Sequence, residues 1–169
     1  MKIIFYGGKQ AGMIALLTLL SLRHKVVCVI PIDGAVEKTA KNFNLNIREP
    51  RDINDKKLVS YLKRLKPDLL VCCHGRQILK KDILAIRCVN LHPCLYEYKG
   101  ADPVGRLLKD GNKKASVGAH WMVEKVDRGG VIVEKFLKVE GKTPSEIYNE
   151  LYPLYVEVLT ESLKIINKK

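Results

Sequence analysis

Residues 2–31 read KIIFYGGKQAGMIALLTLLSLRHKVVCVIP. Lys2–Tyr6 is a short hydrophobic run ending in Gly7-Gly8, and apolar residues at helical spacing follow from Gln10 to Leu22. Lys25–Pro31 is continuous and β-branched, as a parallel strand buried on both faces requires. Strand, glycine turn, helix, strand is how a parallel α/β sheet begins.

The alternation continues along the chain. A helix is expected near Ala35–Phe43 and a short strand near Asn46–Arg48. Asn54 stands where it would cap a helix over Asp55–Leu65, with Leu58, Leu62 and Leu65 on one face and Pro67 as its stop. Asp68–Cys73 is the next buried strand, Ile78–Ala85 a short helix, and Arg87–Leu91 another strand. Pro103–Asp110 reads as a helix closed by Gly111. Ala115–Val123 and Gly130–Val139 then form a hairpin-like antiparallel pair around the turn Glu124–Gly129. Thr143-Pro144-Ser145-Glu146 is a capping box that opens a helix to about Ile166. The expected fold is α/β: a doubly wound, Rossmann-like, mostly parallel sheet with an antiparallel C-terminal strand pair and a long C-terminal helix. One domain over 1–169 accommodates it.

Bulk composition narrows the class. A hydrophobic content of 47% and a mean hydropathy of −0.06 describe a soluble globular chain. No apolar run reaches the ~18–20 residues a membrane span needs, and Met13–Leu22 has no cleavage-like site, so a cytoplasmic location is expected. The five cysteines lack CxxC spacing, which argues against structural zinc. The formal charge of +12 would attract phosphates, nucleotides, polyglutamate tails or RNA. The lysines are scattered and not interleaved with aromatics, which favours a solvated surface over a nucleic-acid face.

The chemistry-bearing stretch is Asn90-Leu91-His92-Pro93, followed 35 residues after the histidine by Asp127 in Val126-Asp127-Arg128-Gly129-Gly130. Asn90 and His92 share one face of a strand, with Cα atoms roughly 6.5–7 Å apart. An amide, an imidazole and a carboxylate can together hold an oxyanion and move a proton. In a doubly wound sheet, ligands bind beyond the carboxyl ends of the strands. Gly7-Gly8, His74-Gly75, the Asn90–His92 segment and the turn before Gly130 are candidates for that edge. Gly7-Gly8-x-x-x-Gly12 is a loose relative of phosphate-binding loops, but a tight turn packing helix against sheet is the favoured reading. His74 ends a strand and could face the crevice; His120 lies within a strand and reads as structural. Cys94, two residues from His92, offers a cysteine–histidine nucleophile as a rival chemistry.

Val89-Asn90-Leu91-His92-Pro93, Tyr98-Lys99-Gly100-Ala101-Asp102-Pro103, Ser116-Val117-Gly118-Ala119-His120 and Asp127-Arg128-Gly129-Gly130-Val131-Ile132, in this order, resemble the formyltransferases that use 10-formyltetrahydrofolate. The likeness is close from about Pro67 to Phe136. It implies the formyltransferase fold, 10-formyltetrahydrofolate as formyl donor, no metal, and a catalytic triad of Asn90, His92 and Asp127. It also implies a folate loop at His74, Gly75, Arg76, Gln77, Ile78 and Leu79. The acceptor would meet Gly8, Lys9 and Gln10, and the loop carrying Cys94, Tyr98, Lys99 and Gly100. The chain departs from the family where Cys94 replaces the usual serine, Leu95-Tyr96-Glu97 the usual Leu-Leu-Pro, and Lys99 the common arginine.

The implied partner is a small amine bearing a nucleotide or phosphate, with no membrane, nucleic acid disfavoured and a homodimer left open. An amino-sugar nucleotide ranks first, then glycinamide ribonucleotide, hydrolysis of formyl-folate, and methionyl-tRNA. The non-enzyme alternative is a basic nucleotide- or RNA-binding module, which has no need of a histidine backed by a carboxylate.

Overall fold

The structure is a computed structural model and describes residues 1–168. Lys2–Gly7 (β1) leads through Gly8 into Lys9–Ser21 (α1), and Lys25–Pro31 (β2) returns beside β1 in parallel. Gly34–Asn42 (α2) and Lys56–Arg64 (α3) follow, then Leu69–Cys73 (β3), which pairs with the other side of β1. Lys81–Leu84 (α4), Cys88–Pro93 (β4), Pro103–Lys109 (α5), Lys114–Trp121 (β5), Val131–Lys138 (β6) and Pro144–Asn167 (α6) complete the order. The sheet runs β2-β1-β3-β4-β5-β6, with β1–β4 parallel and β5 antiparallel to both neighbours. Strand order reverses between β1 and β3, so a crevice opens at their carboxyl ends.

Two apolar layers sandwich the sheet. Ile3, Phe5, Val71, Val89 and Leu91 pack under α1, α5 and α6 on one face. Ile4, Tyr6, Leu70, Cys72 and Cys88 pack under Leu58, Val59 and Leu62 of α3 and Ile83 of α4 on the other. Among the described residues no helix is long and apolar enough to cross a membrane.

The expected elements form, with three differences of physical origin. Asp55, not Asn54, caps α3, its carboxylate accepting from Leu58 N at 2.9 Å. Asn54 is engaged elsewhere: its amide donates to the Ile78 carbonyl and accepts from Lys80 N. That same engagement holds residues 78–80 out of the helix expected from Ile78, so α4 starts at Lys81. The expected strand at Asn46–Arg48 is a single bridge, Val29 to Ile47, because the Asn46 side chain turns to Val27 O and Tyr61 Oη. The Thr143–Glu146 capping box is present and opens α6.

Left-handed backbone marks two kinds of place. Arg23, Asn44 and Lys66 (φ 57, 50 and 50) follow the C-caps of α1, α2 and α3, the usual position for such a residue. Lys9, His74 and Cys94 (φ 58, 56 and 53) instead sit just past the ends of β1, β3 and β4. Asp102 and Asp127 share the conformation at φ 48 and 51. Each costs a non-glycine residue ~1–2 kcal/mol, and such cost gathers where geometry is imposed for function.

Candidate active site

Register builds the site before any side chain is considered. Tyr6 pairs with Cys72, Cys72 with Asn90, and Asn90 with His120, so these four form one row across β1, β3, β4 and β5. Their side chains share the α3–α4 face of the sheet. His92 lies two residues along β4 on the same face. The β5–β6 loop starts beside Cys88, where Met122 N donates to Cys88 O, and folds back over this face to bring Asp127 down on the row.

The Asp127 carboxylate collects four donors. His92 Nε2 lies 3.1 Å from Oδ2 and Gly100 N donates to the same oxygen at 2.8 Å. His120 Nε2 lies 3.2 Å from Oδ1, and Asn90 Nδ2 donates there at 3.4 Å. Burial alone would raise the Asp127 carboxyl. The hydrogen bonds from His120 and His92, the His92 charge and the Gly100 N–H outweigh it and hold the group far below the usual carboxylate range.

The two histidines differ in what they face. His92 Nδ1 lies 2.7 Å from Pro93 O, and its Nε2 faces Gly100 O at 3.1 Å as well as Asp127, so the ring meets only acceptors. It satisfies them all only with both nitrogens protonated. His120 Nε2 also meets the Asn90 amide at 3.3 Å, and its Nδ1 donates to Trp121 O.

His74 ends β3 beside a cavity of about 380 Å³ lined also by Lys9, Gln10, Ala11, Ser145, Tyr148, Asn149 and Tyr152. Its Nε2 is 3.0 Å from Tyr155 Oη. Tyr155 is fully buried, and among the described residues its hydroxyl has no other partner. The tyrosine therefore donates to Nε2, leaving the proton on Nδ1. Burial first, then the charges of Lys9 and His92, push His74 down to about 4 against a pull from Asp33. A histidine depressed from 6.5 stabilises the fold fully above pH 6.5 and loses that contribution as pH falls toward 4. The shift is worth about 3 kcal/mol. His74→Asn, which tolerates the left-handed backbone, should remove about 2–3 kcal/mol from the wild-type loss of urea-unfolding free energy between pH 7 and 4.5. Parallel curves for the two proteins would show that His74 does not supply it.

The remaining candidate residues separate by burial. In the loop after β3, Gly75 packs so tightly over Tyr6 and Cys72 that an added Cβ would stand 2.6 Å from the ring and 2.7 Å from the sulfur. Arg76 N and Gln77 N both donate to Tyr6 Oη. Leu79 is buried, whereas Ile78 is 63% exposed. Near α1, Lys9 and Gln10 line the cavity and Gly8 precedes them. Of the β4–α5 loop, Cys94 and Tyr98 turn into the core at 0% and 4% exposure, Gly100 meets Asp127 and His92, and Lys99 is held by its carbonyl, which accepts from Arg106. Burial pushes the Cys94 thiol up, which removes the thiolate that a nucleophile pair would need. Among the described residues no group of three His, Cys, Asp or Glu is arranged for a metal.

His120 was read from sequence as structural, yet it shares the Asp127 carboxylate. The β4–β5 register puts His120 opposite Asn90 and so on the same face, and that register is not written in the local sequence.

Residues 18–163 match the family model described as formyl transferase. The bifunctional polymyxin resistance protein ArnA of Wigglesworthia glossinidia brevipalpis is 32% identical over 99% of this chain and 28% of its own length. A methionyl-tRNA formyltransferase of Moorella thermoacetica is 28% identical over 98% of this chain and 59% of its own. The chain thus spans well under two thirds of either relative. The crystal structure of phosphoribosylglycinamide formyltransferase from Bacillus halodurans superposes with a TM-score of 0.84 at 17% identity, over 99% of this chain and 96% of that one. At that identity it is the fold that is shared.

Proposed function

The chain belongs to the formyl transferase family, and on that premise we propose that it moves the formyl group of 10-formyltetrahydrofolate to a primary amine. The acceptor is a small molecule bearing a nucleotide or phosphate, with an amino-sugar nucleotide ranked first. The reading is carried by one observation: a single buried carboxylate, Asp127, holds the His92 ring and the Asn90 amide on the same sheet face.

The donor fits what borders that row. Ile78 on the β3–α4 loop and Val123 and Val126 on the β5–β6 loop are exposed at 63%, 46% and 46%, an apolar rim suited to a flat ring. The amine nitrogen adds to the formyl carbon of the folate to give a tetrahedral intermediate, and the bond from that carbon to the folate nitrogen then breaks. Asn90 Nδ2 spends one hydrogen on Asp127 and, with His120 Nε2 donating to the same carboxylate, keeps the second for the oxygen on which negative charge develops. His92 stabilises that charge, gives its proton to the departing folate nitrogen and takes back the proton that the amine loses. Asp127, held so far below the usual range, is a poor proton acceptor; it fixes the His92 ring and keeps it charged. The amine approaches from the cavity at His74, where Lys9 and the Nδ1–H of His74 present a charge and a donor to a phosphate. Pro153 within α6 leaves the Asn149 carbonyl, at the rim of that cavity, without its helical partner.

The test supplies 10-formyltetrahydrofolate with an amino-sugar nucleotide, glycinamide ribonucleotide or methionyl-tRNA and follows release of tetrahydrofolate by absorbance. Release with the amino-sugar nucleotide well above the other two is expected. Fastest release with methionyl-tRNA would overturn the acceptor class, and absence of folate binding would overturn the donor.

A further inference from the structure

Phe5 and Tyr6 are neighbours on β1 and face opposite layers of the sheet. Phe5 packs as a plain hydrocarbon ring. Tyr6 carries a hydroxyl into a layer that is otherwise apolar, among Ile4, Leu70, Cys72 and Leu79. At 2% exposure that hydroxyl must find its partners within the protein. It finds them in the β3–α4 loop, where Arg76 N donates to Tyr6 Oη at 3.0 Å and Gln77 N at 2.9 Å. Two successive backbone N–H groups on one oxygen fix the course of the loop as well as its height. Burial raises the Tyr6 hydroxyl against the pull of those bonds, so the oxygen accepts as a neutral phenol.

The other ties of this loop lead away from the sheet. Gln77 accepts from Ile53 N and donates to Arg51 O, both at 2.8 Å. Asn54 donates to Ile78 O at 3.0 Å and accepts from Lys80 N at 2.7 Å. Among the described residues, the two bonds to Tyr6 are the only hydrogen bonds that hold residues 76–80 to the sheet. Tyr6 also stands in the row that runs through Cys72 to Asn90, two strands away and so ~10 Å from it. The hydroxyl thus sets where the loop, with Ile78 at its tip, stands relative to the Asn90 amide. Without it, two buried N–H groups lose their acceptor and the pull of residues 51–54 is unopposed.

Resting on the donor reading above, we propose that Tyr6 is a positioning residue: its hydroxyl holds the Arg76 and Gln77 backbone at the height from which the loop grips the folate ring. The tyrosine acts through the loop and touches neither donor nor amine.

Tyr6→Phe removes one atom and keeps the ring, so the fold is expected to survive. Tyr61→Phe is the control, because its hydroxyl borders the same layer but accepts from Asn46 Nδ2 at 2.7 Å, away from the loop. Calorimetry with tetrahydrofolate should show Tyr6→Phe binding about tenfold more weakly than wild type, the size of one lost buried hydrogen bond. The formyl-transfer rate at saturating 10-formyltetrahydrofolate, with the amine that releases tetrahydrofolate fastest, should stay within about twofold. In hydrogen exchange the Arg76 and Gln77 amides should open about tenfold faster while those of β1 and β3 keep their protection. Tyr61→Phe should bind tetrahydrofolate as the wild type does. An unchanged affinity in Tyr6→Phe, an equal loss in Tyr61→Phe, or unchanged exchange at Arg76 and Gln77 would each overturn the proposal while leaving the donor reading intact. A wild-type chain that does not bind tetrahydrofolate would overturn the donor reading, and the proposal with it.

Discussion

Asp127→Asn is expected to fold and to lose formyl transfer by about three powers of ten in kcat/KM. The backbone gives no reason for it to unfold, because residue 127 sits at φ 51, a left-handed conformation that asparagine adopts as readily as aspartate. The loss follows from what the amide would face. Gly100 N, Asn90 Nδ2 and the Nε2 atoms of His92 and His120 all converge on two carboxylate oxygens. An amide offers one oxygen and one NH2, so one side must put donor against donor. If the NH2 faces His92, the ring surrenders its Nε2 proton and its charge. If it faces His120, the Asn90 amide is pushed from its place. Either arrangement removes one of the two groups aimed at the developing oxyanion, and the lost negative charge weakens the other. Single-turnover rates with saturating donor, beside urea-unfolding curves, separate chemistry from folding. Turnover within about tenfold of wild type in a folded Asp127→Asn protein would show that the carboxylate is not what organises the site.

Part of this site is legible in the sequence by strand periodicity, while Asp127, in a turn where aspartates are common, joins it only through the resemblance of the string around it. Asn90 and His92 are two apart, and period two alone puts them on one face. Alternating apolar segments through Leu91 were likewise enough to reach a parallel sheet, since β-branched runs such as Lys25–Pro31 have few other uses. Less legible was everything decided by the partner of a polar side chain. Asn54 looks like a cap from its neighbours, but tertiary contact with Ile78 and Lys80 claims its amide, and the cap passes to Asp55. Cys94 and Tyr98 looked like loop residues open to an acceptor. The left-handed turn at Cys94 and the hydrogen bond of Asn112 to the Tyr98 hydroxyl fold both inward. The same limit explains His120: its row with Asn90 depends on the β4–β5 register, which no local pattern states.

Gly129→Ala is expected to cost both stability and rate, and Gly130→Ala to cost neither beyond a few tenths of a kcal/mol. The two glycines are adjacent in the Asp127 turn, yet their surroundings differ. A Cβ on Gly129 would stand 1.7 Å from the Trp121 carbonyl oxygen, a backbone atom held in the sheet. A Cβ on Gly130 would find its nearest neighbour, Trp121 Cδ1, at 3.9 Å, an ordinary contact. Trp121 N donates to Gly130 O at 3.0 Å and closes the neck of the loop, so the strand cannot easily yield; the loop must. Overpacking of this kind costs ~1–3 kcal/mol. The displaced segment carries Asp127 two residues upstream, whose bonds to His92 and His120 are already 3.1 and 3.2 Å long and have no slack. A shift near 1 Å in such a group is enough for about a hundredfold loss in rate. Thermal melting and formyl-transfer kinetics on the pair of variants test the link between loop packing and chemistry. If Gly129→Ala melts and turns over like Gly130→Ala, the Trp121 contact does not hold the turn, and Asp127 is positioned by its four hydrogen bonds alone.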